Sequence, residues 1–275
     1  MDGDAPGQDP SDLEKPQEVA KGGGFCYFLR RNPGADGAYM SIDRQAKVLE
    51  ARSWGDYHLL RVESPAVGRD ARPGQFVMVK AGDTTVPLLR RPLSLHDAGP
   101  STADLFFRTA GEGTRILARK RPGEAIDLLG PLGKGYTLTG DLKGRKAWLV
   151  GGGRGIAPLY FLGRKLLTLG ARVTVLYGGR TRDDLPLVDR FESAGLAVLP
   201  STDDGSLGFH GLVSGLLGRE LGRGRADRLC VCGPDAMMKA VAGLAAAAGV
   251  PAEYSLEAMM GCGIGACWGC VHRIR

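Results

Sequence analysis

The stretch Leu149–Leu159, LVGGGRGIAPL, runs from an apolar segment through a group of glycines into a sequence with helical spacing. Gly151, Gly152, Gly153 and Gly155 therefore fall at a predicted turn between a strand and a helix. Such a turn leaves backbone N–H groups uncovered at the positive end of the helix, where a pyrophosphate can bind. A tight turn without a ligand is the alternative, because a glycine cluster alone is weak evidence.

On both sides of this turn, apolar runs alternate with helical patterns. RKAWLVGGG, IAPLYFLGRKLLTLG and RVTVLYGG follow one another as strand, helix and strand, and the strand RLCVCGP later precedes the helix DAMMKAVAGLAAAAG. This order builds a parallel sheet. The sequence predicts an open parallel α/β nucleotide-binding sheet over residues 141–254, followed by a cysteine loop over residues 255–275.

Upstream of residue 140 the pattern is different. Short runs rich in β-branched and aromatic residues, YHLLRVES, GQFVMVKA, ADLFFRTA and EAIDLLGPLG, are separated by Gly or Pro. They predict a small antiparallel β-barrel over residues 40–140, interrupted by one helical turn in GTRILARKR. Residues 1–39, rich in Gly, Asp and Pro, predict a disordered tail, and Met40 is a candidate start of translation.

Composition narrows the function classes. The 275-residue chain has a formal charge of +6, with its basic residues scattered, which favours small anionic ligands over nucleic acid. No apolar run reaches the roughly 20 residues of a membrane span, and the acidic N-terminus does not resemble a signal peptide. We therefore expect a cytoplasmic protein, in which the six cysteines serve metal binding, redox chemistry or core packing rather than disulfides.

The segment Arg90–Asp97, RRPLSLHD, lies in the predicted barrel. Arg91 can pair with a phosphate through two hydrogen bonds, Pro92 fixes the chain and Ser94 offers a hydroxyl to a flavin edge. Taken alone, a solvated arginine pair beside a turn explains these residues equally well.

Together, a barrel with RPLS and a glycine-turn α/β domain resemble the ferredoxin reductase family of flavoproteins. PGQFV at 73–77, FFRTAGEGT, GPLGKGY at 130–136, STDDGSLGFHGLV at 201–213 and CGP at 232–234 extend the resemblance over nearly the whole chain from Met40. The resemblance implies FAD on the barrel and NAD(H) on the α/β domain. The cofactor-binding residues that it implies are Arg91, Pro92, Leu93, Ser94, Phe106, Phe107, Arg108, Gly113, Thr114, Gly151, Gly152, Gly153, Gly155, Cys232, Gly233 and Pro234.

Cys262, Cys267 and Cys270 follow the C-x4-C-x2-C spacing with which a glycine-rich loop wraps a [2Fe–2S] cluster. Zinc is the principal alternative, with His272 as a possible further ligand. The flavin and nicotinamide patterns favour the cluster, because zinc cannot accept single electrons. We expect the segment from Met259 onward to be flexible without its metal.

The stretch Ser255–Cys270, SLEAMMGCGIGACWGC, resembles the C-terminus of the electron-transfer subunits of NAD-linked dihydroorotate dehydrogenases. That pattern has a fourth cysteine more than ten residues after the third, whereas this sequence ends five residues after Cys270. We therefore expect the sequence to be truncated before its fourth ligand. Cys26 is a poor substitute, because its spacing supports no such role.

The resemblance implies electron transfer between NAD(H), FAD and the cluster, and an FMN-containing dihydroorotate dehydrogenase catalytic subunit as the partner, in pyrimidine synthesis. Related subunits of sulfite reductases, hydrogenases and ferredoxin:NADP oxidoreductases remain alternatives. A non-catalytic nucleotide- or zinc-binding module is an alternative of another class. No residue predicts a base acting on dihydroorotate itself.

Several further residues receive structural interpretations. Cys230 alternates with Cys232 in a predicted buried strand, which favours a core role for Cys230, while Cys232 is either buried or near the nicotinamide. Met237 and Met238 favour core packing.

The remaining polar residues give weaker signals. His58, His96 and His210 have no metal spacing and are expected at surface or turn positions. Arg180 and Arg182 lie where a 2′-phosphate reader occurs, or in a solvated loop. The resemblance favours NAD.

Overall fold

In the computed structural model, residues 40–82 and 86–271 are described. The expected tail of residues 1–39, with Cys26, lies outside the described residues, as does His272.

Six antiparallel strands form a closed barrel in the order β1-β2-β5-β4-β3-β6. The predicted strand runs all form strands, and RPLS, which carried no strand prediction of its own, begins β4. Two helices accompany the barrel, α1 at Pro65–Gly68 and α2 at Glu112–Ala118. The strands are β1 Ser41–Trp54, β2 Tyr57–Glu63, β3 Phe76–Lys80, β4 Arg91–Gly99, β5 Thr102–Arg108 and β6 Ala125–Leu132.

The second half of the described chain is a six-stranded parallel sheet in the order β10-β9-β8-β7-β11-β12. Its strands are β7 Lys146–Gly152, β8 Arg172–Gly179, β9 Ala197–Thr202, β10 Phe209–His210, β11 Arg228–Cys232 and β12 Ala252–Ser255. Its helices are α3 Ala157–Thr168, α4 Val188–Ser193, α5 Val213–Arg223 and α6 Asp235–Ala248. The predicted open α/β sheet is thereby confirmed.

The strand order places a switch point at the centre of the sheet. The chain runs outward from β7 through β8 and β9 to β10, and then returns to the other side of β7 for β11 and β12. In open α/β sheets, ligands bind in the crevice beyond the carboxyl ends of the strands at such a point. The ends of β7 and β11 are the glycine turn and the CGP segment.

Alternating side chains join the two halves. On β2, Leu60 and Val62 face the barrel core, whereas Tyr57 and Leu59 pack with the core of the parallel sheet, as does Phe106 of β5. Because a strand presents successive side chains to opposite faces, the same strands serve both cores. The barrel is thus held against α3 and the sheet.

His96 lies inside this junction, so the expectation of a surface or turn position was wrong. Its side chain is fully buried, and its ring stacks on Tyr160 of α3 with 4.7 Å between centroids. Its Nδ1 is 2.9 Å from the Ala157 carbonyl oxygen, which identifies Nδ1 as the protonated nitrogen of a neutral ring. Burial lowers the pKa of His96 to about 3. His58 is half-buried and His210 is exposed.

Within the part of the chain that the structure describes, no helix is both long and apolar enough to cross a bilayer.

Candidate functional site

A cavity of about 260 Å³ lies between the barrel and the parallel sheet. It is lined from three directions: the barrel strands and the start of α2, the turn before α3, and the segment after β12. The predicted cofactor residues on its wall are Pro92, Leu93, Ser94, Phe106, Phe107, Arg108, Thr114, Gly155 and Cys232. Residues remote in sequence, drawn from both predicted domains, therefore meet around one space.

On the barrel side, the RPLS strand meets the start of α2. The Arg91 guanidinium lies against Gly113, where an added Cβ would come within 2.5 Å of Arg91 Nε. The Thr114 hydroxyl accepts hydrogen bonds from the backbone N–H groups of Ala110 at 2.8 Å and Gly111 at 3.1 Å. An arginine beside a helix N-terminus is suited to bind a phosphate.

Arg108 offers a further polar group on this wall. Its Nε is buried and has no hydrogen-bond partner among the described residues, while its Nη2 pairs with Asp56 at 3.4 Å. A buried donor without a partner is costly unless a ligand or water accepts from it. This orphaned donor fits a polar ligand in the cavity.

On the sheet side, the ends of β7 and β11 come close together. A Cβ at Gly155 would lie 2.5 Å from the Cys232 carbonyl oxygen and 2.6 Å from Gly233 Cα, both backbone atoms. Only glycine fits this approach, which explains why the sequence places glycine there. The close packing sets the 3₁₀ turn Gly153–Ile156 and the start of α3 at the cavity wall.

The other predicted residues of this side stand behind the wall. Gly152 packs against Pro234, whose Cδ would lie 3.2 Å from an added Cβ, and Gly233 lies beside the Gly152 backbone nitrogen. Gly151 packs against Ile156. Gly153 has a φ of +53°, and a Cβ added there would meet the Tyr57 hydroxyl at 3.9 Å. These residues therefore shape the turn without lining the smaller cavity.

A larger cavity of about 840 Å³ lies beyond the end of β8, and Arg108 borders both cavities. Arg180 on its wall is held by Asp184, with Nε 2.9 Å from Oδ2 and Nη2 3.3 Å from Oδ1. Tyr57 also donates its hydroxyl to Asp184 at 3.1 Å. Arg182 donates to the Ser206 hydroxyl and carbonyl. Both arginines are thus engaged within the protein.

Sequence reasoning missed several residues of the site. Arg154 and Glu257 line the smaller cavity and form an ion pair with each other. Tyr57 lines the larger cavity and stacks at 5.6 Å on Phe106, which lines the smaller one. Arg154 lies inside the glycine turn and Glu257 precedes the cysteines, so both residues belong to motifs identified in the sequence. Their ion pair could not be predicted from the sequence, because the two residues are 103 positions apart.

The cysteine loop follows directly after the cavity. Leu256, Ala258 and Met260 line the cavity, and the first cysteine, Cys262, comes two residues later. The loop rests on the barrel at Gly263, where a Cβ would come within 2.4 Å of Met78 Cγ. The cysteine loop thus begins beside the cavity and packs against β3 of the barrel, while its cysteines do not line the cavity.

Backbone N–H groups of this loop turn toward sulfur. The Cys267 N–H donates to Cys262 Sγ at 3.4 Å, and hydrogen bonds from Cys267 and Ile264 lower the pKa of the Cys262 thiol to about 6. Gly263, Gly265 and Trp268 adopt positive φ angles that let the chain turn tightly. Soft thiolates in a loop of inward N–H groups fit the donor set of an iron–sulfur cluster.

Within residues 40–82 and 86–271, no group of three or more His, Cys, Asp or Glu side chains is placed to hold a metal ion. Cys262 and Cys270 are half-buried and Cys267 is exposed. Metal binding by these three cysteines stays a prediction.

Comparisons with known proteins bear on the whole arrangement. The oxidoreductase NAD-binding domain family matches residues 149–243. The chain is 40% identical over 237 residues to the dihydroorotate dehydrogenase B (NAD(+)) electron transfer subunit of Desulforamulus reducens, covering 83% of this chain and 90% of the relative. The chain belongs to this family of electron transfer subunits.

Other members and a solved structure agree. The electron transfer subunit of a Geobacillus species is 44% identical over 207 residues, covering 74% of this chain and 77% of that one. A structure described as an NADH-dependent reduced ferredoxin-NADP oxidoreductase superposes with a TM-score of 0.73 at 32% identity, covering 83% of this chain and 82% of that chain. The resemblance to ferredoxin reductases and the two-part fold predicted from sequence are confirmed.

Proposed function

We propose that this chain carries electrons between NAD(H) and a catalytic dihydroorotate dehydrogenase subunit, using FAD on the barrel and a [2Fe–2S] cluster on the cysteine loop. The observation that carries the proposal is the single cavity to which the RPLS strand, the glycine turn and the segment before the cysteines all contribute. A nicotinamide and a flavin must meet face to face for hydride transfer, and this cavity is where residues for both converge.

For the flavin, Arg91 and the N-terminus of α2 would hold the phosphates, while Ser94 and the Arg108 Nε would hydrogen-bond to polar atoms of the cofactor. Phe106 and Phe107 would exclude water from the redox centre. The neighbouring Phe76 belongs to the same wall.

For the dinucleotide, the glycine turn before α3 would receive the pyrophosphate, and Cys232 would contact the nicotinamide end. The larger cavity beside Arg180 would hold the adenosine half. Asp184 holds the Arg180 guanidinium at Nε and Nη2, and the preference for NAD over NADP is supported by the relatives, which are named as NAD(+)-linked.

For the cluster, Cys262, Cys267 and Cys270 would be ligands. A bound flavin accepts two electrons together and releases them singly, and an iron–sulfur cluster accepts them one at a time. The chain's own contribution is to seat the loop against Met78 and to point N–H groups at Cys262 Sγ, which stabilises negative charge on sulfur.

The proposed division of labour follows the sequence ranges. Residues 40–140 would bind FAD, residues 141–254 would bind NAD(H) and residues 255–275 would carry the cluster. The partner would be an FMN-containing catalytic subunit, and the complex would act in the cytoplasm in pyrimidine synthesis.

The test begins with the purified protein, reconstituted anaerobically with FAD, iron and sulfide. We expect flavin absorption, a broad iron–sulfur shoulder and NADH-dependent bleaching, followed by orotate-dependent turnover when the catalytic subunit is added. A colourless protein that binds zinc would overturn the redox proposal and favour a structural module. NADH-dependent bleaching that does not respond to the catalytic subunit, but reduces ferredoxin, would favour the ferredoxin-linked alternative, which the 32% identical structure represents.

A further inference from the structure

An ion pair links the glycine turn to the segment that leads to the cysteines. Arg154 Nη2 is 2.7 Å from Glu257 Oε2, and Arg154 Nε lies 3.2 Å from Oε2 and 3.3 Å from Oε1. Both residues line the smaller cavity, which Thr114 and the RPLS strand of the flavin side also line. The pair thus spans the space between the proposed dinucleotide site and the cysteine loop.

The guanidinium keeps donors for another ligand. Glu257 engages Nε and Nη2 of Arg154, while Nη1 has no hydrogen-bond partner among the described residues. Arg154 belongs to the 3₁₀ turn Gly153–Ile156, directly before α3. An arginine fixed on one edge by a carboxylate presents its other edge in a defined direction, which suits an anion with several oxygens.

Glu257 in turn belongs to a segment with few other restraints. Leu256–Met260 is neither helix nor strand, and its last residue stands two positions before Cys262. The Met259 side chain is 91% exposed. The ion pair to Arg154 is therefore a principal polar tether of this segment to the sheet half of the molecule.

We propose that Arg154 binds a phosphate of the dinucleotide while Glu257, as a positioning residue, holds its guanidinium in the required orientation. Since binding and positioning share one guanidinium, occupancy of the dinucleotide site stabilises the seating of Leu256–Met260. By thermodynamic reciprocity, a well-seated segment tightens dinucleotide binding to the same degree. This inference rests on the proposed function, because it requires a dinucleotide at the glycine turn.

A merely structural ion pair would behave differently. The two side chains are 54% and 40% exposed, and pairs of this kind contribute little to folding stability because water and salt screen them. We therefore expect substitutions to change ligand affinity and local protection while thermal stability stays the same.

The binding experiment uses the flavin-loaded protein with NADH and with ADP-ribose, which has the two phosphates and lacks the nicotinamide. We expect the Kd for both ligands to rise about tenfold in Arg154→Gln, because a half-exposed charged hydrogen bond to the phosphate is lost. In Glu257→Gln the Kd should rise about threefold to fivefold, because the guanidinium is no longer held in alignment. The double variant should match Arg154→Gln alone, because Glu257 acts through Arg154. Arg154→Lys should recover only part of the affinity, since lysine lacks the planar fork.

The structural readout is amide hydrogen exchange over residues 256–260. In the unsubstituted protein, ADP-ribose should slow this exchange, and in Glu257→Gln it should not. Matched controls are Arg223→Gln and Glu220→Gln, which break an ion pair of 3.2 Å on α5, remote from both cavities. The controls should leave both Kd values and the exchange response unchanged.

Three results would overturn the inference. If the Kd of the variants for ADP-ribose stayed within twofold of that of the unsubstituted protein, Arg154 would not contact a phosphate. If the changes in Kd were additive in the double variant, Glu257 would not act through Arg154. If ADP-ribose still slowed amide exchange in Glu257→Gln, the dinucleotide site would not be coupled to residues 256–260 through this ion pair. If the unsubstituted protein bound neither NADH nor ADP-ribose, the proposed function would fall, and this inference with it.

Discussion

Cysteines occupy two opposite environments in the described chain. Cys230 and Cys232 on β11 are buried, and burial raises the pKa of each thiol to about 12. Cys262 in the terminal loop has its pKa lowered to about 6, chiefly by backbone hydrogen bonds to sulfur. In a sheet the backbone N–H groups donate hydrogen bonds to neighbouring strands, whereas in an irregular loop they are available to a side chain.

The two regions are therefore suited to different chemistry. At the junction between barrel and sheet, burial keeps the His96 ring and the Cys232 thiol neutral, in a fixed geometry that suits a flavin and a nicotinamide that must be aligned. In the cysteine loop, backbone hydrogen bonds favour the charged form of the Cys262 sulfur, which suits a metal, whereas burial raises the pKa of Cys270.

Acid should destabilise the protein most strongly through His96. Its neighbours with charge are Arg190, Asp104 and Arg61, and burial is the main cause of its low pKa. Because the pKa is about 6.5 in the unfolded chain and about 3 in the folded one, the unfolded state alone takes up a proton between these values. The contribution to stability is complete above pH 6.5 and falls by about 3 kcal/mol as the pH drops to 4.

Urea unfolding of the unsubstituted protein and of His96→Phe at several pH values measures this effect. Phenylalanine keeps the ring stacking and loses one hydrogen bond, so we expect a loss of about 1 kcal/mol at pH 8. Between pH 6.5 and 4 the variant should lose less stability than the unsubstituted protein. Parallel pH profiles for the two proteins would show that His96 is not held neutral.

The second prediction concerns the close approach of β7 and β11. Gly155→Ala places a Cβ against the Cys232 carbonyl oxygen and Gly233, both backbone, so the turn must shift. We expect a loss of about 2 kcal/mol of unfolding free energy and a weaker affinity for NADH. Chemical denaturation and NADH titration measure the two effects.

Gly222→Ala on α5 is the matched control, since nothing lies within 4 Å of an added Cβ there. It should stabilise the protein by about 0.5 kcal/mol, because alanine restricts the unfolded chain. Equal results for the two variants would contradict the tight-turn interpretation.

The third prediction compares the two kinds of cysteine directly. Cys230→Ser puts a hydroxyl into an apolar core position of 0% exposure, with an expected cost of about 1.5 kcal/mol. Cys267→Ser changes an exposed loop position, so the metal-free protein should keep its stability within about 0.5 kcal/mol. Iron content after reconstitution should show the reverse order, unchanged in Cys230→Ser and lost in Cys267→Ser.

The smallest effect concerns the seat of the cysteine loop. Gly263→Ala meets a positive φ of 72° and a contact with Met78, whereas Gly140→Ala meets a positive φ of 89° with nothing within 4 Å. Both variants carry backbone strain of about 1 kcal/mol, and only Gly263→Ala should speed amide exchange over residues 259–271. Unchanged exchange there would mean that Met78 does not seat the loop.

Local patterns were sufficient for most of the fold. The strand runs, the helices after β7 and β11 and the order of the two halves follow from hydrophobic periodicity and from glycine at turns, which are short-range properties. The burial of His96 was not predicted, because nothing in the sequence around a lone histidine indicates that a helix beginning 61 residues later packs over it. The helix α4 and the edge strand β12 are short and were not predicted.

The candidate site divides in the same way. RPLS, the glycine turn and the cysteine spacing could be identified by sequence, because each is a local arrangement with its own chemistry. The Arg154–Glu257 pair, the hold of Asp184 on Arg180 and the orphaned Arg108 Nε could not, since each depends on contacts between distant segments. The sequence shows these residues, but only the folded chain shows which groups they contact.

Local patterns in the amino-acid sequence were enough to predict a two-part chain with flavin, nicotinamide and cysteine patterns in that order. The contribution of all three regions to one cavity, and the packing of the cysteine loop against Met78 of the barrel, followed from the folded chain alone. The physical reason is that a pattern fixes which face of a strand or helix is buried, whereas the register and closure of the sheets decide what lies opposite that face.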